Sequence, residues 1–149
     1  MSNDPLRSSV YLTQIIDGYK SAVLAKDVEA FMRLYDPQVR VFDAWGVWSY
    51  DDDASWQRTV EGWFGSLGEE RVQVSFDEVV VSEAGGSAIV SAIVTYASIA
   101  SDGSMLRFMQ NRLSWAIQNG SDGYRIVHEH TSMPIGFEDM KAITQRRSS

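Results

Sequence analysis

Apolar residues recur every three or four positions in the first part of the chain, a spacing typical of amphipathic helices. The sequence predicts a first helix that begins at Pro5, with Asp4 as its N-cap. A short second helix is expected to be capped by Asp27 and to stop at Asp36 and Pro37. The positions predicted to face inward from these two helices are Leu12, Ile15, Ile16, Tyr19, Val23, Phe31, Leu34 and Tyr35.

A short strand and a third helix are predicted next. Alternating apolar residues from position 39 indicate a strand that carries Asp43 and ends near Gly46. The acidic residues 51–53 lead into the third helix, where their charge complements the helix dipole, and Gly68 ends it. The apolar stripe of this helix contains Trp56, Val60, Trp63, Phe64 and Leu67.

Beyond position 70 the pattern changes to long runs rich in β-branched and aromatic residues. These runs predict strands at 71–82, 87–100, 105–118 and 124–133, separated by short glycine-containing turns. Short turns between long strands indicate an antiparallel meander. The predicted fold class is α+β, with the order α-α-β-α-β-β-β-β and a curved antiparallel sheet that wraps around helices.

The composition limits the classes of function. The chain has 149 residues and a formal net charge of −7, which disfavours nucleic acid and anionic membrane surfaces as partners. No apolar run approaches the roughly 20 residues of a membrane span. The absence of cysteine excludes disulfides and thiolate chemistry. No secretory signal is visible, so we expect a cytoplasmic protein.

Two further features concern partners. Segments of the predicted meander are apolar on both faces, so one face can pack on the helices and the other on a second subunit, which predicts a homodimer. Four of the five tryptophans lie close together in the sequence, at Trp45, Trp48, Trp56 and Trp63. Such a cluster either fills a core or forms the apolar wall of a small-molecule pocket.

Candidate chemistry rests on individual residues. Asp43 lies among apolar residues, where loss of hydration raises the pKa of a carboxyl group toward that of a useful general base. Its structural alternative is an aspartate that ends a strand by bonding to turn amides. Tyr19, on the inward stripe of the first helix, either packs in the core or donates a hydrogen bond to a ligand oxygen.

Other candidates come from the last two strands. Arg112 lies between large apolar residues and either is exposed or pairs with Glu129, Asp43 or an anionic ligand. His128 and His130 share one face of a strand, and alternation places Glu129 and Thr131 on the other face together with residues 127 and 133. Only one of these two sets can line a cavity. Two histidines do not complete a metal site, so no metal is expected.

Three stretches carry a family resemblance. They are residues 19–30, residues 34–37 continuing to 41–46, and residues 112–115 followed by 123–132. With the element order, they resemble the nuclear transport factor 2-like superfamily, in its SnoaL-like and ketosteroid-isomerase-like branch. The third stretch is also similar to the C-terminal strands of the association domain of calcium/calmodulin-dependent protein kinase II. The resemblance implies a single cone-like domain over 1–149 that encloses a pocket, with a core at roughly 8–135 and a tail at 136–149.

The resemblance also implies roles. Tyr19 matches the oxyanion-hole tyrosine of the isomerases, and Asp43 matches their proton-shuttling aspartate. The second oxyanion donor of the isomerases is a protonated aspartate, and its position corresponds to Arg112 or Asn111 in this chain. An arginine there resembles the kinase association domain and suits an anionic ligand. It departs from the isomerase pattern, so steroid isomerisation is not expected.

Three functions follow as hypotheses. The first is a cofactor-free isomerase, cyclase or lyase with Asp43 as general base and Tyr19 holding the oxyanion. The second is a non-catalytic binding or oligomerisation module whose pocket contains Arg112 and takes a small hydrophobic carboxylate. The third is a hydratase-type site of Asp43 with His128 or His130. A buried Asp43 without a cationic partner favours the first hypothesis, whereas an Asp43–Arg112 ion pair favours the second. The predicted ligand-binding residues are Arg112, Trp45, Trp56, Trp63, Glu129, His128 and His130.

Overall fold

The protein folds as an α+β domain, seen in a computed structural model that describes residues 5–146. Its order is that predicted from the sequence, with two helices, a strand, a third helix and four more strands. The bounds are α1 Pro5–Ala25, α2 Val28–Met32, β1 Tyr35–Phe42, α3 Asp53–Ser66, β2 Arg71–Ala84, β3 Ser87–Ile99, β4 Met105–Gly120 and β5 Gly123–Ser132.

The two shorter helices begin at aspartate caps. The Asp27 carboxylate accepts a hydrogen bond from the backbone N–H of Ala30 at the start of α2, as predicted. The Asp52 carboxylate does the same for Ser55 in α3. The predicted cap Asp4 lies outside the described residues.

The sheet has five strands in the order β1-β5-β4-β3-β2. The four strands after α3 form the predicted antiparallel meander. β1, however, pairs parallel to β5, so the sheet is mixed and not purely antiparallel. β1 also begins earlier than predicted and includes Asp36 and Pro37, because proline is tolerated in an edge strand where the pairing register is irregular.

The helices cover the concave face of the sheet. Alternate residues of β3 and β4 point toward them and are buried, as are the inward stripes of α1 and α3. The largest fully buried side chains include Trp115 of β4, Phe31 of α2 and Tyr35 of β1. Part of this core, including Tyr19, Trp56 and Val60, also borders a cavity.

The C-terminal segment extends the sheet beyond the end of β5. Ile135 and Ala142 form an isolated antiparallel bridge, and the backbone N–H of Gln110 donates to the carbonyl of Thr144 at 2.7 Å. The segment therefore lies beside the first half of β4. Within residues 5–146, no helix is long and apolar enough to cross a membrane.

Candidate functional site

A cavity of about 450 Å³ opens between α3 and the concave face of the sheet. This volume is within the range usual for small-molecule sites. Aromatic and aliphatic side chains form most of its wall. They are Trp56, Val60, Trp63 and Leu67 of α3, Tyr19 of α1, Val72 of β2, Tyr96 of β3, Phe108 and Met109 of β4, and Trp45 of the loop after β1.

Asp43 lies on the cavity wall just beyond the end of β1. Its Oδ1 accepts a hydrogen bond from the Thr131 hydroxyl at 2.9 Å, and its Oδ2 accepts one from the backbone N–H of Trp45 at 3.3 Å. The backbone N–H of Ala44 donates to the Thr131 Oγ1 at 2.9 Å. Because this bond occupies a lone pair of Thr131, the hydroxyl proton is directed at Asp43.

The electrostatic environment of Asp43 suits a base. Burial raises its pKa above the ordinary value of 3.8, and the hydrogen bonds from Thr131 and the Trp45 backbone offset only part of this effect. Among the described side chains, no lysine, arginine or histidine forms an ion pair with Asp43. Uncharged donors therefore hold the Asp43 carboxylate in place, and no cation neutralises its charge among the described side chains.

The loop after β1 is folded back against that strand. Val41 and Tyr50 exchange two backbone hydrogen bonds, of 2.8 and 2.9 Å. Gly46 adopts φ +83° in the turn between them, a conformation that favours glycine. This turn places Trp45, which is 55% exposed, at the mouth of the cavity.

Tyr19, which is buried, and Tyr96, which is half-buried, form a pair of phenols on the cavity wall. Their hydroxyl oxygens are 2.8 Å apart, so one donates to the other. Burial raises the pKa of both above the ordinary value of 10.0, which keeps them neutral and able to donate. In either direction of the bond, one phenolic proton remains for a ligand oxygen or a neighbouring acceptor.

Glu129 is the most deeply buried ionisable group on the wall, with 1% of its surface exposed. Its Oε1 accepts hydrogen bonds from the Tyr35 hydroxyl at 2.6 Å and the Trp115 indole N–H at 2.8 Å. Burial raises the pKa of Glu129 to about 7, and the nearby Asp43 charge adds to the increase. Arg112 is therefore not its partner, contrary to one predicted alternative.

Arg112 is not part of the cavity, which corrects the predicted binding residue. Leu113 and Trp115 of β4 are buried in the core, so alternation turns Arg112 outward, where it is exposed and its Nε donates to the Ser132 hydroxyl at 3.0 Å. Asn111, the other residue predicted for this position, lines the cavity instead. Arg112 lines instead a separate pocket of about 130 Å³ beside the C-terminal segment, so it does not contribute a carboxylate site to the cavity that holds Asp43.

His128 and His130 also lie outside the cavity, on the outer face of β5 against the Phe42 ring. The Glu129 and Thr131 face is the one that lines it. A β-bulge explains which residues join that face, because Ala116 pairs with His128 and the next residue, Ile117, pairs with Ile126. Val127 is the extra residue, so Ile126 shares the inner face with Glu129, and Val127 does not.

The remaining predicted residues, Trp45, Trp56 and Trp63, are brought together on the cavity wall with Tyr19 and Asp43. Sequence reasoning missed Tyr96. Its alternation with the inward residues Val94 and Ser98 of β3 is the signal that could have identified it. It also missed Arg107, which lies at the mouth in an ion pair with Glu70 at 2.7 Å.

The wall contains polar atoms whose hydrogen bonds are incomplete. Asn111 Oδ1 and Trp56 Nε1 are buried, and neither has a partner among the described residues. Unpaired buried polar atoms are costly, so a ligand that supplies a donor to Asn111 Oδ1 would be stabilised here.

Comparisons with known proteins agree with this architecture. Residues 12–136 match the family model of the SnoaL-like domain. The chain belongs to the SnoaL-like family. Its sequence matches no curated protein.

Solved structures show the same fold. A nuclear transport factor 2-like protein of unknown function from Pseudomonas putida is 17% identical, with a TM-score of 0.83 over 96% of this chain and 98% of that one. ActVI-ORFA from Streptomyces coelicolor is 13% identical, with a TM-score of 0.74 over 86% and 96%. A calcium/calmodulin-dependent protein kinase II association domain assigned in Xanthomonas campestris is 13% identical, with a TM-score of 0.69 over 82% and 84%. Together they show that this SnoaL-like chain has the nuclear transport factor 2-like fold, as its motifs predicted.

Proposed function

We propose that this SnoaL-like protein is a cofactor-independent isomerase, cyclase or lyase that removes a proton from carbon next to a carbonyl group in a small hydrophobic compound. Asp43 is the general base. The observation that carries the proposal is the state of Asp43, a cavity-lining carboxylate with a raised pKa and no ion pair among the described side chains.

The base has the properties that proton abstraction needs. A carboxylate of ordinary pKa is a weak base, and burial strengthens it by making the charged form less favourable. An arginine at bonding distance would have the opposite effect, but Arg112 lies on the other face of β4. Thr131 and the Trp45 backbone fix the orientation of the carboxylate without neutralising its charge.

The negative charge that develops on the substrate oxygen requires a donor. The Tyr19 and Tyr96 pair supplies a phenolic proton on the same wall, in an apolar environment where such a bond has a larger effect than in water. Asn111 adds an amide to this region. The Tyr19 role predicted from the resemblance is thereby extended to a pair of residues.

The cavity favours neutral ligands over carboxylates. Asp43 and Glu129 both line it, and a ligand carboxylate beside them would meet like charge or force a proton to bind. Arg107, the cationic residue on the described part of the wall, is at the mouth and is already paired with Glu70. Trp56 and Trp63 offer an apolar surface for a ring of the ligand.

The test is exchange of α-protons for deuterium in D₂O, followed by proton NMR on 2-tetralone, 1-indanone and 4-phenylbutan-2-one. We expect the wild type to accelerate exchange and Asp43→Asn to lower the rate by about 100-fold or more. Asp122→Asn, in the exposed turn between β4 and β5, is the matched control and should retain the wild-type rate. Equal exchange by wild type and Asp43→Asn, or none with any ketone, would contradict the proposed base.

A further inference from the structure

Glu129 forms a second acid–base position in the same cavity. It comes from β5, whose Glu129 pairs in register with Val41 of β1. Asp43 lies two residues beyond Val41 and bonds to Thr131, which lies two residues beyond Glu129. Strand geometry therefore separates the Cα atoms of Asp43 and Glu129 by about 7 Å along the strands and about 5 Å across them.

The hydrogen bonds of Glu129 leave one of its two oxygens free to carry a proton. Both donors, the Tyr35 hydroxyl and the Trp115 indole, converge on Oε1. A neutral acid accepts at its carbonyl oxygen and donates from the other oxygen. No donor among the described residues reaches Oε2, so the proton of the acid is available to the cavity.

The groups that face Glu129 are neutral or negatively charged, and burial favours its protonated form although the hydrogen bonds from Tyr35 and Trp115 act against it. α1 contributes the Tyr19 phenol, β1 contributes Tyr35, and β3 contributes Tyr96, all neutral. The chain just beyond β1 contributes Asp43, whose negative charge opposes ionisation of Glu129. α3 presents indoles without charge.

At the side of the cavity that opens to solvent, the cation of Arg107 on β4 is paired with Glu70. The carboxyl group of Glu129 thus has no cation against it among the described residues. Asp43 and Glu129 can therefore have different protonation states in one cavity. An ionised Asp43 can act as a base while a protonated Glu129 acts as an acid.

We propose that Glu129 is the acid that complements Asp43, and that together they eliminate water from a small hydrophobic β-hydroxy ketone. This inference rests on the proposed function and narrows it to a lyase. An isomerase needs only one group that moves a proton between two carbons, whereas elimination of water needs a base at carbon and an acid at the leaving oxygen.

The reaction balances with these residues alone. The Asp43 carboxylate takes the α-proton, and the electron pair of the C–H bond passes to the carbonyl oxygen, where a Tyr19 or Tyr96 hydroxyl stabilises it. The pair then returns to form the carbon–carbon double bond as the bond to the β-oxygen breaks. Glu129 donates its Oε2 proton to that oxygen, and water leaves. Asp43 then holds a proton that passes to the Glu129 carboxylate through the released water, which restores both groups.

The experiment uses 4-hydroxy-4-phenylbutan-2-one and measures two rates on the same sample. Formation of 4-phenylbut-3-en-2-one is followed by ultraviolet absorbance, and α-deuterium exchange is followed by NMR. We expect the wild type to show both activities and Asp43→Asn to lose both. Glu129→Gln, which preserves the acceptor for Tyr35 and Trp115, should retain exchange within about 3-fold and lose elimination by about 100-fold.

A pH profile separates a catalytic role of Glu129 from a structural one. Tyr35→Phe removes a hydrogen bond that lowers the pKa of Glu129, so the alkaline limb of elimination should move to higher pH. Tyr124→Phe, whose ring stacks on Tyr11 away from the cavity, is the matched control and should leave the limb in place.

Each of the other outcomes overturns a defined part of the account. Wild-type elimination by Glu129→Gln, or wild-type exchange without elimination, refutes the role of Glu129 and leaves Asp43 as base. If Glu129→Gln loses both activities and the alkaline limb of the pH profile of elimination does not move in Tyr35→Phe, the role of Glu129 is structural alone. Absence of Asp43-dependent exchange in the wild type refutes the proposed function itself.

Discussion

At the scale of single residues, the site depends on what burial does to carboxyl groups. Asp43 and Glu129 line one cavity, yet they differ in their hydrogen bonds and in how deeply they are buried. Desolvation is the largest cause of the raised pKa in both. Folding therefore favours the protonated form of Glu129, whereas in the unfolded chain this carboxyl group has its ordinary pKa.

This condition makes the free energy of unfolding depend on pH. Burial raises the pKa of Glu129 from 4.5 to about 7, so between these values the folded protein retains a proton that the unfolded chain releases. Stability should therefore fall as pH rises through this window, by up to about 3 kcal/mol from this group. Glu129→Gln has no such proton, so its free energy of unfolding should not fall for this reason. Relative to that of the wild type, it should rise from pH 5 to pH 8.

Urea unfolding at both pH values measures this difference. Glu61→Gln, on the exposed side of α3, is the control and should leave the pH dependence of the wild type unchanged. If the free energies of unfolding of Glu129→Gln and wild type ran parallel with pH, Glu129 would be ionised in the fold and the account of its protonation would be wrong.

At the scale of secondary-structure elements, the chain's periodicity predicted the order of helices and strands, and the structure confirms it. Helical and strand spacing decide which side chains share a face, so periodicity also predicted that Tyr19, Trp56 and Trp63 face inward. The structure places these three residues on the cavity wall with Asp43. The bounds of β2, β3, β4 and β5 agree with the predicted strands within a few residues.

Alternation alone could not decide everything at this scale. The bulge at Val127 changes which residues accompany Glu129, and nothing in the local sequence marks it. Arg112 follows regular alternation, but the face on which it lies could be predicted only once Leu113 and Trp115 were known to be the core residues of β4. The parallel pairing of β1 with β5 joins segments far apart in the chain, and local patterns carry no information on such contacts.

At the scale of the whole molecule, the outer face of the sheet is the feature that the cavity does not explain. Ile89 of β3 and Val80 of β2 are both 64% exposed on this face. An apolar sheet face of this kind is suited to a second copy of the chain, so we retain the homodimer predicted from the sequence as a proposal.

Sedimentation velocity measures the oligomeric state. We expect the wild type to have twice the chain mass of 16.7 kDa at micromolar concentration. Ile89→Glu places a charge on the outer face and should yield the chain mass. Val10→Glu changes an exposed residue of α1 on the other side of the sheet and should remain dimeric. A wild type that sediments as a monomer would refute the dimer without affecting the cavity.

The central claim is that a base and an acid of different protonation state share the cavity. The most direct test is a carbon-13 NMR titration of the side-chain carboxyl groups, with Asp43→Asn and Glu129→Gln used for assignment. We expect a pKa near 7 for Glu129 and a pKa above 3.8 for Asp43. Asp43→Asn should also lower the pKa of Glu129, because it removes a neighbouring negative charge. A Glu129 that titrates near 4.5, with Asp43 at or below 3.8, would contradict the account.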